Sequence, residues 1–276
     1  MIGAGFGFRF LSAPCHSLLR ITLRAPSEVD VVILTKNSEH LLAKCLASIY
    51  QNVPVKNLII IDGYSTDTTL KILEQFNRKH HNIQIHQLNG SRAKARTEGI
   101  RKVTTDWFLF VDSDVVLCRD WFKKATADLA EGVGAVWGLN VDLLPNVKNG
   151  RVLKLQSMVA RQCFKLRGGM HDTLILRKAV EGIVIPEALH AYEDAYLVQW
   201  IEEHGYRAVI GSGIYCLHCK PPENWNLKNG VEQAIVELRC GLLYSHIFEY
   251  MVFYPVFFLY WGLQLPLNGF RNGSSR

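Results

Sequence analysis

Short runs of β-branched and other apolar residues alternate with helical segments through the first half of the chain. The runs are VDVVIL (29–34), LIII (58–61) and WFLFV (107–111), and the more polar segment IQIHQL (83–88) is predicted as a further strand. Continuous apolar runs of this length predict strands that are buried on both faces. Strands that alternate with helices form βαβ units. The sequence therefore predicts an α/β fold in which a Rossmann-like, mostly parallel sheet is flanked by helices.

The chain divides into three parts by composition. Residues 1–28 contain no acidic residue before Glu28, and we expect either a poorly ordered tail or a transit-like or interfacial segment. Residues 29–222 are predicted to form the α/β domain, and residues 223–276 an amphipathic or apolar C-terminal segment that associates with a membrane. Later strands are predicted at 133–139, 173–176 and 206–210, and helices at 121–130, 152–165 and 194–204.

The overall composition is that of an ordinary globular protein. The 276 residues carry a net charge of +6, and 49% of them are apolar. This excludes a largely disordered chain, and the charge is too small for the basic surface of a nucleic-acid-binding protein. The odd number of cysteines, 7, predicts buried thiols in a reducing compartment. Cys216 and Cys219 have the spacing of half a zinc site or of a redox pair, which is the alternative.

Polar residues follow three of the predicted strands at the point where each strand ends. They are Thr35 and Asn37 after the first strand, Asp62 after the second, and Asp112 and Asp114 after the fourth. Ligands of open parallel sheets bind beyond the carboxyl ends of the strands, so these side chains are expected to line one crevice.

Asp112 and Asp114 indicate a cation site. Two carboxylates held close together are costly unless a cation neutralises them, and their oxygens suit Mg²⁺ or Mn²⁺ carrying substrate phosphates. The alternative is a turn in which an aspartate caps the next helix. A turn and a helix cap do not explain Asp62, which is expected to need a polar partner such as the N–H of a nucleobase.

Two further residues are candidates for chemistry at the crevice. Asp194 lies at the start of a predicted helix, where it is either a general base or an acid that complements the helix dipole. His218 follows the last predicted strand and is either a metal ligand or a structural histidine.

In combination, these segments resemble a family 2 glycosyltransferase of the GT-A fold, similar to dolichyl-phosphate sugar synthase-like enzymes. The resemblance runs from about Asp30 to His218, with Thr97 in place of the usual Asn. The Q-x-x-R-W segment of processive members is absent, which argues for transfer of a single sugar. The matching segments are VVILTKNSEHLLAKCLASI (31–49), IIIDGYSTDTT (59–69), SRAKARTEGI (91–100), FLFVDSDVVL (108–117) and YED (192–194).

The resemblance implies an inverting, metal-dependent enzyme of cell-envelope or glycolipid synthesis. It would move one sugar from a nucleotide diphosphate sugar to an acceptor hydroxyl or lipid phosphate, on a lipid-linked or saccharide acceptor. The implied roles are base and ribose contacts for Thr35, Asn37 and Asp62, a base or pyrophosphate contact for Arg96, a ribose contact for Asp112, metal binding for Asp114 and His218, and general base for Asp194.

Two other classes of protein share parts of this pattern. A sugar-phosphate nucleotidyltransferase also uses carboxylates and a metal, but its glycine-rich phosphate loop is missing, because TKNSEHL (35–41) contains no glycine. A non-catalytic nucleotide-sugar-binding module would be expected to have lost one of Asp112, Asp114 and Asp194, and all three are present.

The C-terminal segment contains no charged residue from Met251 to Leu267. As a helix it would reach about 25 Å, short of the roughly 30 Å hydrocarbon core of a bilayer. Its many aromatic residues are typical of a membrane interface. We expect an interfacial or re-entrant anchor on the cytoplasmic face of a membrane, close to a lipid-linked acceptor. The alternative is that the segment packs on the α/β domain as part of its core.

Overall fold

The computed structural model describes residues 25–142, 169–187, 189, 193–218 and 255. Residues 1–24 of the predicted tail, the predicted helix at 152–165 and, apart from residue 255, the C-terminal segment 223–276 lie outside the described residues. Within the described ranges, no helix is both long enough and apolar enough to cross a membrane.

The described part of the chain forms strands and helices in alternation. The strands are β1 (Val29–Thr35), β2 (Val55–Asp62), β3 (Ile83–Gln87), β4 (Trp107–Asp112), β5 (Val115–Leu117), β6 (Val133–Asp142), β7 (Asp172–Leu176) and β8 (Arg207–His218). The helices are α1 (Glu39–Asn52), α2 (Thr69–His80), α3 (Arg92–Lys102), α4 (Trp121–Ala127) and α5 (Glu193–Glu203), with one 3-10 turn at Arg177–Val180.

These strands form one sheet in the order β3-β2-β1-β4-β7-β6-β8-β5. β1 is parallel to both β2 and β4, and β2 is parallel to β3, which confirms the βαβ prediction for the first half of the chain. β7 is antiparallel to β4 and β6, β5 is antiparallel to β8, and β6 is parallel to β8. Six of the eight strands therefore run in the same direction, as the prediction of a mostly parallel sheet requires. β5 and β7 run the opposite way, because an apolar run predicts burial of a strand but not its direction.

Two layers of helices cover the sheet, and alternate residues of the strands face one layer or the other. On β1, Val31 and Ile33 belong to a cluster with residues of α1, α2 and α4, whereas Val32 belongs to a cluster with residues of α3 and α5. Gly99 lets α3 lie close to the sheet, since a Cβ at this position would be 2.6 Å from Val32 Cγ1. Burial on both faces explains why β1, β4 and the second half of β2 are almost continuously apolar.

The sequence did not predict β5, and it predicted only the first residues of β8. β5 begins directly after Asp114 and is held by the far end of β8, where Val115 is paired with His218. Gly213 adopts a left-handed conformation with φ 70°, and it lies between the two stretches of β8 that pair with β6. The part of β8 after Gly213 also pairs with β5, so β8 continues beyond the strand that the sequence predicts.

The strand register places the predicted polar strand ends at one edge of the sheet. Thr35 is paired with Asp62, and Leu34 with Asp112, so the ends of β1, β2 and β4 are level with one another. The candidate site lies at this edge.

Candidate active site

Asp62 ends β2 as a fully buried carboxylate. Its oxygens accept hydrogen bonds from Thr35 Oγ1 at 2.9 Å, from Ser65 Oγ at 2.6 Å and from the Ser65 backbone N–H at 2.9 Å. A longer contact of 3.4 Å comes from Gln87 Nε2. The expectation that Asp62 needs a polar partner is therefore met by its own chain, which supplies these donors. Its contact with a nucleotide remains a prediction.

Asn37 joins the loop after β1 to the loop after β2. Its backbone N–H donates to Ser65 Oγ at 2.9 Å, and its Oδ1 accepts from the backbone N–H of Thr66 at 2.9 Å. Asn37 (φ 50°) and Tyr64 (φ 58°) both adopt the left-handed region, which is unusual for residues other than glycine. These bonds hold the two loops in one conformation at the predicted base-binding edge.

Asp112 is held on both of its carboxylate oxygens. Arg96 Nη2 donates to Oδ1 at 3.4 Å, and His171 Nδ1 lies 2.7 Å from Oδ2. The backbone N–H of Asp112 also donates to the carbonyl of His171 at 3.1 Å. The Asp112 side chain is 27% exposed, so the carboxylate is fixed in orientation while part of it stays accessible to a ligand.

Arg96 lies buried beneath this carboxylate. Its Nε pairs with Glu193 Oε1 at 3.2 Å, and its guanidinium carbon lies 5.2 Å from the centre of the Phe110 ring. Burial alone would lower the pKa of Arg96, but the charges of Asp112, Glu193 and Asp194 raise it above its usual value. Arg96 is therefore a permanent buried cation that connects the end of β4 to the start of α5.

The turn between β4 and β5 carries Ser113 and Asp114. Ser113 Oγ lies 3.0 Å from Ser38 Oγ, which ties this turn to the start of α1. Ser38 precedes α1 but makes no capping bond with its side chain; Asp67 Oδ2 instead accepts from the Glu39 N–H at 3.1 Å. Asp114 is partly exposed beside Asp112.

Asp112 and Asp114 could hold a metal ion together with the phosphates of a substrate. Among the described residues, no three His, Cys, Asp or Glu side chains converge as a metal site. Mg²⁺ and Mn²⁺ often take one or two carboxylates and fill their other positions with phosphates and water. The donors Asp112 and Asp114 fit this requirement, since both are hard oxygen ligands that are partly accessible. The backbone of His218 pairs with Val115, the residue after Asp114.

Asp194 lies in the first turn of α5, where its Oδ1 accepts from the Ala195 N–H at 2.9 Å. It is partly exposed, whereas its neighbour Glu193 is buried and takes the ion pair with Arg96. The charge of Asp194 also contributes to the raised pKa of Arg96, so the two groups lie within electrostatic reach of each other. The start of α5 is thus joined to the same cluster as Asp112.

Comparison with known proteins agrees with this arrangement. The family model described as Glycosyl transferase family 2 matches residues 30–164. The matched segment includes the strand ends that carry Thr35, Asp62, Asp112 and Asp114. This chain carries a family 2 glycosyltransferase domain.

Two curated relatives of this glycosyltransferase domain illustrate its similarity. A poly(ribitol-phosphate) beta-glucosyltransferase of Bacillus spizizenii is 33% identical over 126 residues, which cover 41% of this chain and 20% of the relative. A dolichyl N-acetyl-alpha-D-glucosaminyl phosphate 3-beta-D-2,3-diacetamido-2,3-dideoxy-beta-D-glucuronosyltransferase of Methanococcus voltae is 32% identical over 103 residues, 35% of this chain and 32% of the relative. The match with the Bacillus enzyme spans about a fifth of that relative's length.

Solved structures share the fold of the glycosyltransferase domain. Mannosyltransferase PcManGT from Pyrobaculum calidifontis has a TM-score of 0.57 at 21% identity, covering 72% of this chain and 58% of that one. Staphylococcus aureus TarS 1–349 has a TM-score of 0.56 at 22% identity, covering 70% of this chain and 60% of that one. At these identities the likeness shows the fold, which is the GT-A arrangement expected from the sequence.

Asp172 is a buried residue of this domain that the sequence did not indicate. Trp121 Nε1 donates to its Oδ2 at 2.7 Å, and the Cys216 thiol and the Gly138 backbone N–H also donate to it. Burial raises the pKa of Asp172 to about 7, and the hydrogen bonds from Trp121 and Cys216 offset part of this effect. A Cβ at Gly138 would overlap the carboxylate, so only glycine leaves room for it.

The sequence also missed Glu193 as the partner of Arg96 and His171 as the partner of Asp112. Neither residue has a local signal, because each pair joins distant parts of the chain. The structure places Arg96 against Asp112, and the contact of Arg96 with a nucleotide that the resemblance implies stays a prediction. Cys45, Cys118 and Cys216 are free and buried, as the odd cysteine count predicts for the residues described.

Proposed function

We propose that this chain is an inverting glycosyltransferase that moves one sugar from a nucleotide diphosphate sugar to an acceptor, with a divalent cation. The observation that carries the proposal is the fixed Asp112 carboxylate at the same sheet edge as Asp62, within a family 2 domain. PcManGT, which shares the fold, was crystallised with GDP-Man and Mn²⁺, and TarS with UDP. These complexes support a nucleotide-sugar donor.

The donor would lie across the ends of β1, β2 and β4. Thr35, Asn37 and Asp62 would contact the base and ribose from loops that are already cross-linked by hydrogen bonds. Asp112 would accept from a ribose hydroxyl, because its carboxylate is partly exposed and an ionised carboxylate can accept several hydrogen bonds. A preformed site of this kind loses little entropy on ordering when the nucleotide binds.

Asp114 would hold the cation, with Asp112 beside it and His218 as a further ligand. When bound, a divalent cation stabilises the negative charge of a diphosphate leaving group as a Lewis acid. The partial exposure of Asp114 suits this role, because the diphosphate must reach the same ion.

Asp194 would act as the general base. It would accept the proton of an acceptor hydroxyl while the acceptor oxygen forms its bond to the anomeric carbon. The bond from that carbon to the diphosphate breaks, and the electron pair leaves with the nucleoside diphosphate. One displacement of this kind inverts the anomeric centre. A lipid phosphate could replace the hydroxyl, since its oxygen is already a nucleophile.

The acceptor is proposed to be a polymer or a lipid-linked sugar at a membrane surface. The relatives named above act on poly(ribitol-phosphate) and on a dolichyl-linked sugar phosphate. The apolar segment from Met251 to Leu267 would anchor the domain on the cytoplasmic face, in cell-envelope or glycolipid synthesis. Flotation of the full chain with liposomes, compared with a chain that ends at Leu238, tests this part. Equal failure to float would refute the membrane proposal.

Product analysis tests the reaction itself. The full chain is incubated with UDP-, GDP- and dTDP-sugars, Mn²⁺ and candidate acceptors, and the nucleotide product is identified. A glycosyltransferase releases a nucleoside diphosphate and forms a product of inverted configuration. Release of pyrophosphate would instead identify a nucleotidyltransferase, and binding of a donor without any product would identify a non-catalytic module.

Two variants test the assigned roles. Asp114→Ala is expected to abolish metal-dependent turnover without unfolding the domain. Asp194→Asn is expected to lower kcat by roughly 10²–10⁴ with donor binding preserved, the usual contribution of a positioned base. Asp120→Asn, at an exposed position before α4, is the matched control and should behave as wild type. Wild-type rates in Asp114→Ala would disprove the metal role. Loss of donor binding in Asp194→Asn would make Asp194 a structural residue.

A further inference from the structure

His171 contacts Asp112 at two points. The His171 carbonyl accepts from the backbone N–H of Asp112 at 3.1 Å, and its Nδ1 lies 2.7 Å from Asp112 Oδ2. An ionised carboxylate can only accept, so the hydrogen of this bond is on Nδ1. The backbone bond belongs to the junction of β4 and β7 and would form with any residue at position 171. Only the side-chain bond depends on histidine.

The two donors to Asp112 act on opposite oxygens. Arg96 reaches Oδ1 from beneath, and His171 reaches Oδ2. The Arg96 contact is the longer of the two, at 3.4 Å, and Arg96 also forms an ion pair with Glu193. A single donor leaves a carboxylate free to rotate about its Cβ–Cγ bond, whereas donors on both oxygens fix its plane. Of these two contacts, the one from His171 is the shorter, and it helps to fix the plane of the carboxylate.

The position of His171 is set by its neighbour, the buried residue Asp172. The next residue, Asp172, is 1% exposed and receives the Trp121 indole N–H at 2.7 Å. The backbone N–H of Gly138 on the neighbouring strand β6 donates to the same carboxylate. The start of β7 is thus held from α4 and from β6, while the His171 side chain remains 23% exposed at the site.

We propose that His171 is a positioning residue of the nucleotide site, which orients the Asp112 carboxylate towards the donor's ribose or bound cation. The inference rests on the proposed function, because it assigns Asp112 to the donor. Partners that hold a ligand-binding carboxylate through hydrogen bonds typically contribute roughly 10–100-fold to affinity or activity. His171 acts on the donor through Asp112 and has no part in the proton transfer assigned to Asp194.

The test compares two amides that differ in reach. In His171→Asn, the amide nitrogen takes about the place of Nδ1 and can still donate to Asp112. In His171→Gln, the amide nitrogen lies farther out, about where Nε2 was. Both variants keep the backbone bond, and His40→Gln on the exposed face of α1 is the control. Dissociation constants for UDP and for GDP are measured by calorimetry with MnCl₂, beside the unfolding temperature of each variant.

We expect His171→Gln to weaken binding of the preferred nucleotide by roughly tenfold or more, and His171→Asn to stay within about threefold of wild type. The unfolding temperatures of the two variants should be alike. The role of His171 is refuted, while the proposed function stands, if wild type binds a nucleotide and His171→Gln binds it equally well. It is also refuted if both amide variants weaken binding to the same extent. If wild type binds neither UDP nor GDP, the proposed function fails and this inference fails with it.

Discussion

Replacing Asp172 by Asn should remove a pH dependence of stability that the buried carboxylate creates. Asp172 has a pKa of about 7 in the folded domain, against 3.8 for an ordinary aspartate. Between these pH values the folded protein binds a proton that the unfolded chain has released. The free energy of unfolding of the wild type should therefore fall as the pH rises from about 4 towards 7, and then stay level.

The size of the effect follows from the shift in pKa. From 3.8 to about 7 is about three units, and each unit corresponds to about 1.4 kcal/mol, which gives about 4 kcal/mol at most. Asn is neutral at every pH, as Asp172 is when protonated, and its carbonyl oxygen can still accept from Trp121 Nε1. The two proteins should therefore have similar stability at about pH 4 and below, and the variant should become the more stable of the two as the pH rises to 8.

Urea unfolding of both proteins, followed by tryptophan fluorescence from pH 5 to 8, measures this difference. The slope of the unfolding free energy against pH is compared, so a constant offset from altered packing does not matter. Asp106→Asn is the control, because its side chain is 89% exposed, and it should leave the slope unchanged. Parallel profiles for wild type and Asp172→Asn would show that the carboxylate titrates normally, and would refute the reasoning from burial.

Three other substitutions test the packing around the site by equilibrium unfolding. Gly99→Ala places a Cβ 2.6 Å from Val32 Cγ1 and should cost roughly 1–3 kcal/mol; an unchanged stability would show that α3 moves away freely. Tyr64→Gly should stabilise the domain by about 1 kcal/mol, because it relieves a left-handed conformation; a loss would mean that the ring makes contacts worth more than this strain. Arg96→Met leaves Glu193 buried without its cation and should cost roughly 3–5 kcal/mol, and a cost below 1 kcal/mol would contradict the buried ion pair.

The first half of the fold could be predicted because its signals are local. The strand segments β1 to β4 and the helices between them each lie within a short stretch of sequence, and a helix between consecutive strands is the crossover connection that parallel pairing needs. Once those strands are parallel and in order, their carboxyl ends must lie side by side. The grouping of Thr35, Asp62 and Asp112 at one edge follows from this, as the register shows.

The second half of the sheet could not be predicted in the same way. β7 is antiparallel to β4 and begins 60 positions after β4 ends. The two strands meet where the backbone N–H of Asp112 donates to the carbonyl of His171. β5 has three residues, too few to carry a periodic pattern, and is a strand only because β8 extends to meet it. Strand direction and edge pairing depend on neighbours that sequence patterns do not specify.

The sequence by itself determined which residues lie at the edge of the sheet, because strand length and polarity are properties of neighbouring residues. The tertiary structure decided how those residues are held. Arg96 meets Glu193 across 97 positions, and Trp121 meets Asp172 across 51, so no local pattern records either contact. Both contacts pair polar groups that are buried. An unpaired polar group in the interior costs more free energy than local conformational preferences provide, so its partner is set by the fold and not by neighbouring residues.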